Sequence, residues 1–148
     1  GNFEDANNHE YNIVKDIPAA KKVFEEWPTP IVTSPFELGI KVQYPATSIE
    51  NDFGWAGPHP VVEAYKAYKK MPYDRPTWDP TAVLYAVEGE SWFNVSEPGF
   101  ISVTDEGSTL FTPDENGTRR YLYVDDAQAA AIRDHFVKVI SSVPAKRQ

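Results

Sequence analysis

Three polar groupings in this chain have residue types and spacings that can do chemistry. The first is Asn2 together with Asn7-Asn8-His9-Glu10-Tyr11-Asn12. Glu10 and Asn12 stand two apart, and in an extended segment that spacing puts both side chains on one face. A carboxylate beside a carboxamide suits a polyol, because each hydroxyl both donates and accepts. A solvated Asn-rich loop is the plainer reading of the same residues. The second is Asp79, at the mouth of the apolar run Pro80 to Val87. Asp before Pro is a helix-start signal, so Asp79 is expected to cap that helix. A carboxylate has two oxygens, so one can accept a backbone N–H while the other binds a cation. The third is the cluster Tyr65, Tyr68, Tyr73, Arg75 and Trp78. Such aromatics serve as core or surface cover, or they wall a pocket for a flat ring. Arg75 is expected to pair with Asp74 or a helix end. Of the three histidines, His59 between two prolines reads as structural and His135 as solvated, while His9 beside Glu10 belongs to the first grouping.

The rest of the composition narrows the function classes. A net charge of −8 with no basic stripe argues against nucleic acid. There are no cysteines, so disulfides, zinc–thiolate sites and thiol nucleophiles are excluded. No apolar run approaches the length of a membrane span. No Gly-rich phosphate loop, G-x-S-x-G elbow or H-E-x-x-H pair occurs. The compartment stays open between cytoplasm and a bacterial periplasmic or secreted location.

These groupings need elements to hold them. The 148 residues fit one domain, 1–148, and the 13 prolines keep its elements short. Asp16-Ile17-Pro18 reads as a capped helix start, with a stop at Pro28 and Pro30. Ile31 to Thr33 reads as a buried strand. Ser34-Pro35-Phe36-Glu37 has capping-box spacing. Val61 to Lys70 reads as a helix, and so does Pro80 to Val87, whose lack of a polar face implies cover on all sides. Phe100 to Thr104, Thr109 to Phe111 and Arg119 to Val124 read as a three-strand antiparallel meander. Asp125-Asp126 opens a last helix with the stripe Ile132, Phe136, Val139, Ile140 and Val143. A buried strand near residue 31 needs neighbours on both edges, and the front half offers few. The fold class is therefore α/β, an open mixed sheet with flanking helices that is expected to be part of something larger.

At the same stretches the chain resembles the inosine-uridine nucleoside hydrolase family, in its C-terminal half. Gly1-Asn2-Phe3 resembles the family's glycine-rich strand end. His9-Glu10-Tyr11-Asn12, followed by Asp16-Ile17-Pro18-Ala19-Ala20, resembles its E-F-N segment with D-P-E-A-A. Trp78-Asp79-Pro80-Thr81-Ala82-Val83 resembles its H-D-P-x-A-V segment. The resemblance covers most of the chain and is closest to secreted or periplasmic bacterial relatives. It implies hydrolysis of the N-glycosidic bond of ribonucleosides, with calcium holding the ribose hydroxyls and the attacking water. It assigns Asp79 to the metal, Glu10 and Asn12 to ribose hydroxyls, and Asn2 to the sugar, although its gap to Glu10 is longer than in the family pattern. Tyr73, Arg75 and Trp78 fall at a pocket wall.

Two features depart from the family. The aspartate run that supplies most calcium ligands is not in this chain, and one carboxylate holds calcium poorly. Trp78 stands where many purine-cleaving relatives carry a histidine, and an indole gives up no proton near neutral pH. The expectation is thus a chain needing a missing N-terminal half, inactive or nearly so by itself. The alternatives are a non-catalytic binding or assembly module and a site completed by two chains. Exposed apolar surface on a partial sheet further implies a homo-oligomer.

Overall fold

Asp16 shows how local chemistry starts this fold. Its carboxylate accepts the Ala19 N–H at 3.0 Å and opens a helix with Pro18 in the first turn. The computed structural model describes residues 1–5, 7 and 9–144. In chain order the helices are α1 (Tyr11–Lys15), α2 (Ile17–Glu26), α3 (Phe36–Lys41), α4 (Ala46–Asn51), α5 (Pro60–Tyr68), α6 (Trp78–Glu88) and α7 (Asp126–Ile140). The strands are β1 (Ile31–Thr33), β2 (Gln43–Tyr44), β3 (Arg75–Pro76), β4 (Asn94–Val95), β5 (Gly99–Val103), β6 (Thr109–Pro113) and β7 (Arg119–Tyr123). The chain is α/β with a mixed sheet. Asp125 closes a full capping box with Gln128 at the head of α7. Capping-box spacing at Ser34 and Glu37 misleads. The cap of α3 is Pro35, Glu37 accepts the Phe3 N–H, and the Ser34 hydroxyl meets Thr81 Oγ1 at 2.6 Å.

The main sheet runs β1-β7-β5-β6, with β4 on the flank of β7. β1 and β7 are parallel, Ile31 opposite Arg119, while β5 and β6 form a full antiparallel hairpin. The expected meander is corrected here: β7 lies beside β5, not β6, joined to it by the single pair Gly99–Arg119. The turn after β6 carries the chain across the end of β5, with the Asp114 N–H donating to Pro98 O at 3.0 Å. The crossing is possible because Gly117 lies directly on the Gly99 backbone, where no Cβ fits.

A buried arginine ties this sheet to α2. Arg119 is 4% exposed. Its guanidinium donates to Phe24 O, Trp27 O and Thr29 O at 2.8–3.0 Å. Among the described residues no carboxylate pairs with it; the carbonyls at and just beyond the C-terminal end of α2 supply the compensating partial charge.

The core gathers between the sheet and α7. Leu38, Val42, Phe93, Leu122, Ile132 and Phe136 are among its buried members. Two surfaces lack cover among the described residues. β1 pairs on one edge only, and its residues are half-buried rather than buried. On α6 only Thr81 and Leu84 are buried, while Val83 is 60% and Val87 76% exposed. The expectation that α6 is covered all round is therefore overturned. The α7 stripe follows suit: Ile132 and Phe136 are buried, but Val139 and Val143 are exposed.

Candidate functional site

The N-terminal end of α6 is anchored by residues remote in sequence. The Thr77 hydroxyl donates to Val42 O at 2.7 Å, and its N–H reaches Gly39 O and Val42 O. This pinning makes Thr77 the helix N-cap. Asp79 is consequently inside the first turn and does not cap, which corrects the sequence expectation. Its carboxylate is exposed and makes no hydrogen bond or ion pair among the described residues. A first-turn carboxylate is still favoured by the helix dipole.

Trp78 is fixed on two sides. Its indole N–H donates to Phe36 O at 2.9 Å, and its ring stacks on Phe36 with centroids 5.6 Å apart. α3 approaches closely enough only because residue 39 is glycine. A Cβ there would lie within the indole, 2.6 Å from Cγ. A glycine in the middle of the helical stretch Phe36–Lys41 was the one sequence signal of this packing.

Glu10 and Asn12 come together by a route other than strand alternation. Glu10 is extended and caps α1, while Asn12 is already helical. One carboxylate oxygen of Glu10 accepts both the Asn12 backbone N–H and its side-chain amide at 3.1 Å, and the other accepts the Ile13 N–H. The pair is held rigidly by the cap, with Asn12 exposed.

These groups share one cleft of about 780 Å³. His9, Glu10, Tyr11 and Asn12 form one wall; Trp78, Asp79 and Ala82 of α6 form another; Tyr68 and Arg75 close a third, and Thr33 and Ser34 lie at the end of β1. Glu10, Asn12, Arg75, Trp78 and Asp79, distant in sequence, are thus brought to one cavity. Asn2 and Tyr73 are not. Asn2 is buried, its carboxamide oxygen accepts the N–H groups of Glu4 and Asp5, and its backbone exchanges hydrogen bonds with the Thr109 hydroxyl. Tyr73 stacks on Tyr65 and donates its hydroxyl to Tyr65 O at 2.8 Å. Burial pushes the Tyr65 phenol up to about 12, so that ring is packing rather than acid–base chemistry.

Arg75 does not pair with its neighbour. Asp74 accepts the Ala46 N–H at 2.8 Å, and the Arg75 guanidinium lies over the Tyr68 ring, 4.2 Å from its centroid. The hydrogen bond and charge of Arg75 lower the Tyr68 pKa. His59 caps α5 through Nδ1, as its place between prolines suggested. His135 packs on Trp92 and meets Glu88 at 3.1 Å, rather than standing in solvent.

The donor set can be tested against calcium, which takes six to eight oxygens. Among the described residues no three acidic, histidine or cysteine side chains are grouped to hold a metal. Glu10 accepts three N–H groups and lies 3.8 Å from the Gly1 amino group, which leaves it at most part of its acceptor capacity, and among the described residues of the cleft Asp79 is the carboxylate without a partner. These residues alone do not fit calcium. Among the described residues no helix is long and apolar enough to cross a membrane. Compared with known proteins, the chain matches no family model, no curated protein and no solved structure.

Proposed function

We propose that the chain forms the riboside-facing part of a nucleoside-hydrolase-like site, which hydrolyses the N-glycosidic bond of ribonucleosides when the site is complete. The observation that carries this reading is the convergence of Glu10 and Asn12 with Trp78 and Asp79 in one cleft. A fixed carboxylate–carboxamide pair offers the acceptors and donors that a vicinal diol needs. Trp78 and Phe36 offer flat apolar surface for a base. Asp79, whose oxygens meet no partner among the described residues, is available to a shared cation whose other ligands this chain does not supply. The calcium set is incomplete here, so no catalytic step is assigned to this chain.

A second reading, a non-catalytic riboside-binding module, is favoured by one observation. The Trp78 N–H is committed to Phe36 O, so the indole that stands in the place of the family histidine offers no proton to a leaving base.

Nucleoside hydrolysis with added calcium, measured on this chain and on a version extended upstream, separates the readings. Activity confined to the longer chain and lost in Asp79→Asn supports the hydrolase. Ligand binding without turnover in either supports the module. Neither binding nor turnover in either chain refutes both.

A further inference from the structure

Apart from the Gly1 amino terminus, which lies 3.8 Å from Glu10 Oε2, Arg75 is the one permanent cation among the described residues that line the cleft. Its guanidinium carbon lies over the Tyr68 ring, 4.2 Å from the centroid. Tyr68 and Arg75 both line this cleft. Apart from the Tyr68 hydroxyl, no acceptor meets the guanidinium among the described residues, so N–H donors remain for a ligand. The chain has 22 acidic residues against 14 basic ones, so partners are plentiful. Lys21, Lys41, Lys66 and Arg133 all find one. Asp74, adjacent in sequence, is turned to the Ala46 N–H instead. A planar guanidinium fork without a carboxylate partner among the described residues matches a phosphate or carboxylate oxygen pair.

We infer that the ligand of this cleft is an anionic riboside, its ribose on Glu10 and Asn12 and its phosphate or carboxylate on Arg75. This deepens the riboside reading and rests on it. A neutral nucleoside leaves Arg75 without a role; a riboside carrying a phosphate on the sugar or a carboxylate on the base uses both walls.

Titration calorimetry with uridine, uridine 5′-monophosphate and orotidine tests the idea and tells a sugar phosphate from a base carboxylate. One of the two anionic ligands is expected to bind about tenfold or more tighter than uridine, the usual margin of a charge-assisted hydrogen bond. Arg75→Gln is expected to abolish that margin, bringing the ratio of anionic ligand to uridine affinity to about one. Arg75→Lys, which keeps the charge without the planar fork, is expected to retain part of it. Far-ultraviolet circular dichroism checks that both variants fold. Equal binding of all three ligands, or a margin that survives Arg75→Gln, overturns the inference while leaving the riboside reading in place. No binding by any of the three overturns both.

Discussion

Gly39→Ala is the sharpest probe of how the cleft wall is built. The new Cβ would overlap the Trp78 indole, so either α3 retreats or the ring leaves its place. Overpacking of this kind costs about 1–3 kcal/mol. Displacing the ring also breaks the hydrogen bond from its N–H to Phe36 O, worth about 1 kcal/mol. Against this, alanine is a better helix former than glycine by about 1 kcal/mol. The net expectation is a loss of about 2 kcal/mol in urea unfolding at neutral pH. In a Trp78→Ala background the obstruction is gone and only the helix preference remains. There Gly39→Ala should stabilise by up to about 1 kcal/mol, giving a coupling of about 3 kcal/mol across the pair. The reversal of sign is the diagnostic. If the substitution costs the same in both backgrounds, or costs nothing beside the native tryptophan, the account of this wall is wrong.

Replacing Arg119 with methionine should destabilise by about 3 kcal/mol or more in the same unfolding assay, because three carbonyls at and beyond the end of α2 lose their donor; a loss under about 1 kcal/mol would show that water replaces the guanidinium freely. Glu37 has its pKa raised from 4.5, first by burial, and one of its oxygens has no hydrogen-bond partner among the described residues. The folded state therefore binds this proton more tightly than the unfolded chain, so the stability it contributes is complete below about pH 4.5 and is lost as pH rises through the folded value. Glu37→Gln should accordingly match the wild type at acid pH and exceed it at neutral pH; parallel stability–pH curves would refute this. The exposed valines of α6 and the open edge of β1 lead us to expect self-association by sedimentation velocity, weakened about tenfold by Val87→Lys, the worth of roughly one buried valine. A clean monomer at high concentration would sink that expectation.

Elements whose defining contacts lie within a few residues were legible in the sequence. Asp16 and Pro18 announce α2, Asp125 announces α7, and the turn at 105–108 joins β5 to β6 as read. Where the capping partner lies far along the chain, local reading failed. Thr77 takes the α6 cap because Val42 and Gly39 hold it, and Ser34 leaves α3 for Thr81. Composition likewise misjudged α6: an apolar sequence shows what a helix would bury, not whether a neighbour is there to cover it.

The sequence by itself determined the α/β class and nominated Glu10, Asn12, Arg75, Trp78 and Asp79 as polar or aromatic groups hard to justify by packing. Only the tertiary structure decided that these five line one cleft while Asn2 and Tyr73 do not. It alone showed that Thr77 and not Asp79 caps α6, and that Arg75 lies over Tyr68 rather than on an acid among the described residues. The physical reason is range. Helix caps and turns are set by hydrogen bonds between near neighbours, whereas a cleft is set by which remote backbones can approach, here through Gly39 against Trp78 and Gly117 against Gly99.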